Sequence, residues 1–379
     1  MTQTKVEAPF VEGGGGTNFK NLIINGNFEV AQRSTSAVAA GNGTFTTVDR
    51  WKTFTGNLGG AYTTQQKTNS LADQATTGQE NYLEIKCTTT DSSVHAQAYS
   101  MVRQHVEASS YLQSKLRYGT SDAQKLTLSF WFKSNLTGTH SMSWYYNGST
   151  DGNTTYYYPF NFTVSSADTW EKKVITIPAP PTSYGSINAG NATGGLLNIN
   201  LQIGADYQDP AGSWTGNVAY ASEDVPNFFT STNNNILITA IQLEVGDDAS
   251  DFENIPHDVQ LERCKRYFQM YPRVEKGSSY DYTAVGVGYG DSTSEGIVLV
   301  HLNPTMRAKP TGTNSGSFRI HHKNTAHAVS GFTFNTSLTS SDGLAIVCAI
   351  GSTDITQGHG LLLEQNNDGD ARLFADAEL

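Results

Sequence analysis

The sequence predicts an all-β protein: a jelly-roll β-sandwich, a linking α-helix and a second, smaller C-terminal β-sandwich. Three observations predict it. Charged residues are 16% of the chain, while 18 Tyr, 17 Phe and 36 Gly stand among many Ser, Thr and Asn. That composition favours strands and tight turns, with polarity supplied by hydroxyls and amides. Period-two alternation recurs segment after segment, which gives each strand one apolar face for a facing sheet to cover. At 379 residues the chain exceeds one ordinary domain.

Residues 1–20 read as an N-terminal arm, with Val6, Pro9 and Phe10 ahead of the flexible run Gly13-Gly-Gly-Gly16. A strand over Leu22 to Ile24 then breaks at Asn25-Gly26, where the turn needs positive φ, and Phe28 and Val30 resume the alternation. From 21 to 253 the strands continue through Leu83-Ile85-Cys87, Leu126-Leu128-Phe130-Phe132, Ile199-Leu201-Ile203 and Leu237 to Val245. Many strands with Gly- and Asn-rich turns predict a jelly roll. A short helix can be held between Val102 and Leu116. The linking region, 254–274, carries the clearest helical pattern: Leu261, Cys264, Phe268 and Tyr271 form one apolar stripe between Pro256 and Pro272. From 275 to 379, Ile297 to Val300, Phe318 to His322, Leu344 to Ile350 and Leu361 to Leu363 supply the strands of the second β unit.

A net charge of −11 opposes binding to nucleic acid, which needs a basic surface. Three widely spaced cysteines, Cys87, Cys264 and Cys348, predict buried free thiols. No apolar leader segment is seen at the N-terminus and no long apolar run occurs, so folding in a reducing cytoplasm without membrane insertion is expected.

Few constellations point to chemistry. Asp247, Asp248, Asp251 and Glu253 cluster, as a solvated turn or as carboxylates for glycoside hydrolysis. His321 and His322 are adjacent on a strand and face opposite sides. Gly286-Val-Gly-Tyr-Gly290 lacks the context of a dinucleotide loop. No catalytic residue is assigned. The strongest signal is aromatic: Trp144-Tyr-Tyr146 and Tyr156-Tyr-Tyr158 flank a polar loop, and consecutive aromatics cannot all face a core. Trp144, Tyr146, Tyr156 and Tyr158, with Trp214 in a Gly-flanked loop, are the candidate glycan-stacking residues. A subunit interface would use the same residue types.

The stretch Asn21-Leu-Ile-Ile-Asn-Gly-Asn-Phe-Glu29, with Gln32-Arg33 and Asp49-Arg50-Trp51, resembles the opening of carbohydrate-binding jelly-roll modules, and more closely of those in bacteriophage tail proteins. Ile241-Gln-Leu-Glu-Val-Gly246, Phe252-Glu253, Pro256 and Leu261-Glu-Arg-Cys-Lys-Arg-Tyr-Phe268 resemble the close of the same phage module, and Met306-Arg307 with Pro310-Thr311 the stretch that follows it. The resemblance spans roughly residues 21 to 311. It implies a non-enzymatic virion protein of the tail fibre family, homotrimeric, with Val6, Pro9 and Phe10 anchoring to other tail or capsid proteins and the jelly roll touching host-surface polysaccharide. A head fibre, a capsid decoration protein and a polysaccharide depolymerase are the alternatives. The only cofactor implied is a structural calcium, with Asn27 and Glu29 as ligands. The usual late Asp-Asp pair of that site is replaced here by Gln242-Leu-Glu244.

Overall fold

The computed structural model describes residues 19–148, 155–187, 190–272 and 282–379. Val6, Pro9 and Phe10 lie outside the described residues. The chain divides into two compact units, Met1–Asn254 and Ile255–Leu379.

The first unit is a sandwich of two antiparallel six-stranded sheets. Its strands are β1 (Val38–Ala39), β2 (Thr44–Phe45), β3 (Lys52–Gly56), β4 (Ala61–Thr68), β5 (Asn81–Thr89), β6 (Tyr99–Glu107), β7 (Leu126–Ser134), β8 (Gly138–Asn147), β9 (Thr155–Val164), β10 (Glu171–Ile177), β11 (Thr193–Ile203) and β12 (Asn235–Val245). One sheet runs β1-β4-β5-β12-β7-β10 and the other β2-β3-β6-β11-β8-β9; they are called here the β12 sheet and the β11 sheet. Three hairpins, β2-β3, β4-β5 and β8-β9, stay within one sheet and the other connections cross between sheets, so the apolar face of each strand packs one sheet on the other. Leu126, Leu128, Phe130 and Phe132 of β7 meet Phe160, Phe162 and Val164 of β9 in a single buried cluster. The Phe130 and Phe162 ring centroids lie 5.2 Å apart, nearly edge to face.

The opening segment differs from expectation. Leu22 to Ile24 form no strand; they run irregularly beside β12, with Leu22 N–H donating to Leu243 at 2.9 Å and Ile241 N–H donating to Gly26 at 2.9 Å. Asn25 takes the positive φ, 59°, as expected of its short amide side chain. Gly26 is required for a different reason: a Cβ there would stand 2.1 Å from the Ile241 carbonyl oxygen. The Asn25 amide accepts from Val30 N–H and donates to the Val30 and Asp49 carbonyls. Trp51 Nε1 donates to the Asn25 carbonyl at 3.1 Å. Gln104 brackets Ile24, bonding both its N–H and its carbonyl at 2.8 Å. The motif is thus a clasp between the two sheets.

Two short helices decorate this unit. Helix α1 (Leu71–Thr77) starts at Ser70, whose hydroxyl accepts from Asp73 N–H, and ends at Gly78 in the left-handed region. Helix α2 (Ala108–Ser114) occupies only the end of the stretch Val102 to Leu116, the start of which is β6.

The second unit holds α3 (His257–Lys265), β13 (Phe268–Tyr271), β14 (Ala284–Gly290), β15 (Glu295–His301), β16 (Thr311–Ser315), β17 (Phe318–His322), β18 (Thr325–Phe334), β19 (Gly343–Ile350), β20 (Gly360–Gln365) and β21 (Arg372–Asp376). The helix is shorter than the apolar stripe suggested. It stops at Lys265, and Phe268–Tyr271 become a strand paired with β21. The four-residue stripe fits only the helical period, since Phe268 and Tyr271, three apart, fall on opposite faces of a strand, but Phe and Tyr favour the strand when a partner edge is offered. The expected second sandwich is instead a closed barrel, β14-β15-β19-β18-β17-β20, beside the three-stranded sheet β13-β21-β16. Glycines in β14 permit this tight curvature: a Cβ at Gly288 would lie 1.9 Å from the Ile297 carbonyl oxygen. Val298, Val300, Ile320, Ile346, Cys348 and Leu363 fill the interior. All three cysteines are buried and none forms a disulfide among the described residues. Among the described residues no helix is long and apolar enough to cross a membrane.

Candidate functional site

Three of the five aromatics singled out by sequence do not reach the surface. Trp144 and Tyr146 are 0% exposed and Tyr158 is 7% exposed, all within the core between the sheets. The antiparallel register explains this. Trp144 pairs with Tyr158 and Tyr146 with Tyr156, so all four share one face, and it is the face that carries Met142, Phe160 and Phe162 inward. Tyr156 is half-buried and stacks on Tyr184 with centroids 3.7 Å apart. Trp214 is half-buried too, its Nε1 donating to the Pro178 carbonyl at 2.9 Å and its ring packed on Tyr118, Tyr146 and Tyr158. These two close the edge of the core.

The rings between them point away from the core, although Tyr157, at 6% exposed, is as buried as Tyr158 and packs against the Tyr220 ring. Tyr145 and Tyr157 pair across β8 and β9, with ring centroids 5.2 Å apart, on the outer face of the β11 sheet. β6 adds Tyr99, Met101 and Arg103 to this face, and β3 adds Phe54, stacked on Tyr99 at 4.8 Å. The segment after β11 returns over the sheet and contributes Tyr207 and Tyr220, 5.3 Å apart. Short polar side chains hold that segment down. Ser222 N–H donates to Ser141 Oγ at 2.9 Å, its hydroxyl donates to Asn161 at 2.6 Å, and the Asn200 amide donates to the Tyr220 carbonyl.

Arg103 sits at the centre, 7% exposed. Its guanidinium carbon lies 3.5 Å from the Phe54 ring centroid and 5.6 Å from that of Tyr220. One terminal nitrogen points to Met101 Sδ, while Nε has no hydrogen-bond partner among the described residues. No carboxylate among them pairs with it. Burial therefore lowers the Arg103 pKa, and the surrounding rings replace part of the lost hydration through their π faces. Burial likewise pushes the Tyr220 hydroxyl up to about 12. The result is a layer of half-buried tyrosines, Tyr99, Tyr145, Tyr207 and Tyr220, over a desolvated cation. It offers ring edges and hydroxyl groups, which suits packing on sugar C–H groups and bonding to their oxygens.

The calcium reading meets a poor cage. The Asn27 side-chain nitrogen faces Glu29 Oε2 at 3.2 Å, and two such residues supply a fraction of the roughly 6–8 oxygens a calcium ion takes. Among the described residues no group of three or more His, Cys, Asp or Glu converges. The acidic cluster is dispersed as well. Asp247 pairs with Lys125 at 2.7 Å, and Glu253 accepts the Lys20 and Asn21 N–H groups. Buried Asp49 accepts from Gln32 N–H and lies 3.8 Å from Arg33, so Gln32-Arg33 and Asp49-Arg50-Trp51 complete the clasp.

Sequence reasoning missed Tyr145, Tyr157 and Arg103. The signal was present: Phe160, Phe162 and Val164 fix which phase of β9 faces inward, and that phase includes Tyr158 but not Tyr157.

No protein-family model matches the chain, and no curated protein matches it significantly. Solved structures to which it is similar include a putative sugar binding protein from Bacteroides thetaiotaomicron, at 12% identity and a TM-score of 0.33, covering 59% of this chain and 99% of that one. The family 11 carbohydrate-binding module of a cellulosomal cellulase of Clostridium thermocellum is similar at 13% identity and 0.28, covering 57% and 99%. The enzymatically active domain of tailspike protein 4 of bacteriophage CBA120 is similar at 14% and 0.26; 60% of this chain matches 21% of that one. At these scores the likenesses set no function for this chain.

Proposed function

We propose that the protein is a structural component of a bacteriophage particle, a tail fibre or receptor-binding protein that contacts host-surface glycans and catalyses no reaction. The observation that carries this reading is the tyrosine face around Arg103, a broad surface of rings and hydroxyls on one sheet of a rigid sandwich. The spaced motifs from Asn21 to Thr311, which resemble phage tail modules, supply the particle. In this account the N-terminal residues anchor to other tail or capsid proteins and the working unit is a homotrimer, made in the host cytoplasm and carried in the virion. The engagement of Asp247 by Lys125 and of Glu253 by the Lys20 and Asn21 N–H groups favours adhesion over depolymerisation.

An array of bacterial surface polysaccharides, probed with the full chain, tests the proposal. Binding to one or more polysaccharides without release of reducing ends, weakened ten-fold or more by Tyr220→Ala, is the expected result. Absence of binding across the array, or steady release of reducing ends, would overturn it. Gold-labelled antibody on intact particles separates tail from head fibre or capsid decoration.

A further inference from the structure

The opposite face of the sandwich carries a cleft of about 320 Å³ on the outer side of the β12 sheet. That volume falls at the lower end of the roughly 300–1,000 Å³ of small-molecule sites. Its wall is Trp131, which sits in the outward phase of β7 and pairs with Lys172 on one side and Thr239 on the other. Its floor follows from an irregularity. Between Thr239 and Gln242, three steps along β12 oppose two along β7, and Ala240 takes a φ of 52°. This bulge bends the strand away and opens the space, as bulges beside binding sites do. The clasp of Asn21 and Gly26 on Ile241 holds the bulge in place.

The groups around the cleft are left uncommitted. Gln79 is 4% exposed; its amide nitrogen donates to Asn254 Oδ1 at 3.1 Å, while its Oε1 makes no hydrogen bond among the described residues. The Asp251 carboxylate, the Lys172 ammonium and the Trp131 indole N–H also have no partner among the described residues, and all line the same space with Phe252. An indole, a phenyl ring, one amide oxygen, one carboxylate and one ammonium match a ring that is apolar on its faces and hydroxylated on its rim. The single positive and single negative charge cancel, and the net charge of −11 on the chain disfavours polyanions.

We propose that this cleft is a second, independent saccharide site that takes a neutral pyranose, with Trp131 as the stacking platform and Gln79, Asp251 and Lys172 as hydroxyl partners. Because it lies on the other sheet from the tyrosine face, the two sites engage separate segments of polysaccharide, and together they raise avidity without new contacts at either.

The test titrates the full chain with cellohexaose, maltohexaose and a β-1,4-galactan oligosaccharide, followed by saturation-transfer NMR and tryptophan fluorescence. The expected result is binding of at least one neutral oligosaccharide, weakened ten-fold or more by Trp131→Ala and by Asp251→Asn, with the melting temperature unchanged and with Tyr220→Ala behaving as wild type. Retention of that binding in both cleft variants, or no binding of any neutral oligosaccharide, would overturn the cleft. Loss of all binding in Tyr220→Ala alone would sink the cleft while leaving the glycan-contact reading intact.

Discussion

The two outer faces of the sandwich obey one alternation rule and arrive at opposite solutions. On the β11 sheet the outward residues are rings closed over a buried cation, with Arg103 7% exposed and its neighbours Phe54 and Tyr220 at 3.5 and 5.6 Å. On the β12 sheet the outward residues leave a cleft whose polar groups, Asp251 and Lys172, remain in water without partners among the described residues. The first face is organised by desolvation and is therefore stiff and sensitive to any change in packing. The second is organised by a backbone bulge, so its shape depends on the clasp beneath it more than on its own side chains. Ring count alone does not identify a contact surface; the phase of each ring on its strand does.

The largest expected effect separates core from face. Trp144→Ala should cost about 3–5 kcal/mol in a urea melt, as for any fully buried large side chain. Tyr145→Ala, one residue along and half-buried, should cost about 1 kcal/mol. Equal costs would mean that the register linking Trp144 to Tyr158 is wrong.

Next comes the clasp. Asn25→Ala removes the partners of Val30 N–H and of two carbonyls and places Ala at a φ of 59°. Losing the buried bonds costs about 1–3 kcal/mol, to which the strained φ adds. The comparison sharpens here: neutral-oligosaccharide binding at the β12 cleft should fall with the bulge, while polysaccharide binding at the tyrosine face persists. Parallel loss at both faces would show that the clasp supports the sandwich as a whole.

A smaller effect arises between the faces. His140 is buried against Phe132 and Phe162, and burial lowers its pKa below the ordinary value of 6.5. The unfolded chain then binds more protons than the folded one, so stability is fully present above about pH 6.5 and declines as pH falls toward the lowered value. Calorimetry from pH 8 to pH 5 should show this decline, and His140→Gln should flatten it. An unchanged slope in the variant would place the acid sensitivity elsewhere. Smallest of all, Trp131→Phe should alter stability by no more than about 0.5 kcal/mol, since it lies on an outer face. A larger loss would move Trp131 from the cleft wall into the packing.

Most of the architecture was legible in the sequence because alternation is a direct record of burial. The strands of the first unit, the three buried thiols and the opposite facing of His321 and His322 all follow from it. What escaped was information that lives between distant segments. The irregular course of Leu22 to Ile24 depends on a bulge more than 200 residues away, at Ala240 and Ile241. The strand Phe268–Tyr271 depends on β21, near the end of the chain. Closure of the second unit into a barrel depends on the crowding that glycines 286, 288 and 290 relieve. The aromatic site was half legible: the segments were right, the phase was wrong. Trp131, alone among rings in the polar phase of β7, was a signal that the sequence carried and the sequence reading did not use.

Hydroxyl-radical footprinting of the full chain, with and without a bacterial surface polysaccharide selected on the array, puts the central claim to the most direct test. Tyr145, Tyr207, Tyr220 and Trp131 should label readily in the free protein and become protected when polysaccharide is added, while Trp144 and Tyr146 stay unlabelled throughout. Ready labelling of Trp144 and Tyr146 in the folded protein, or bound polysaccharide that shields neither outer face, would contradict it.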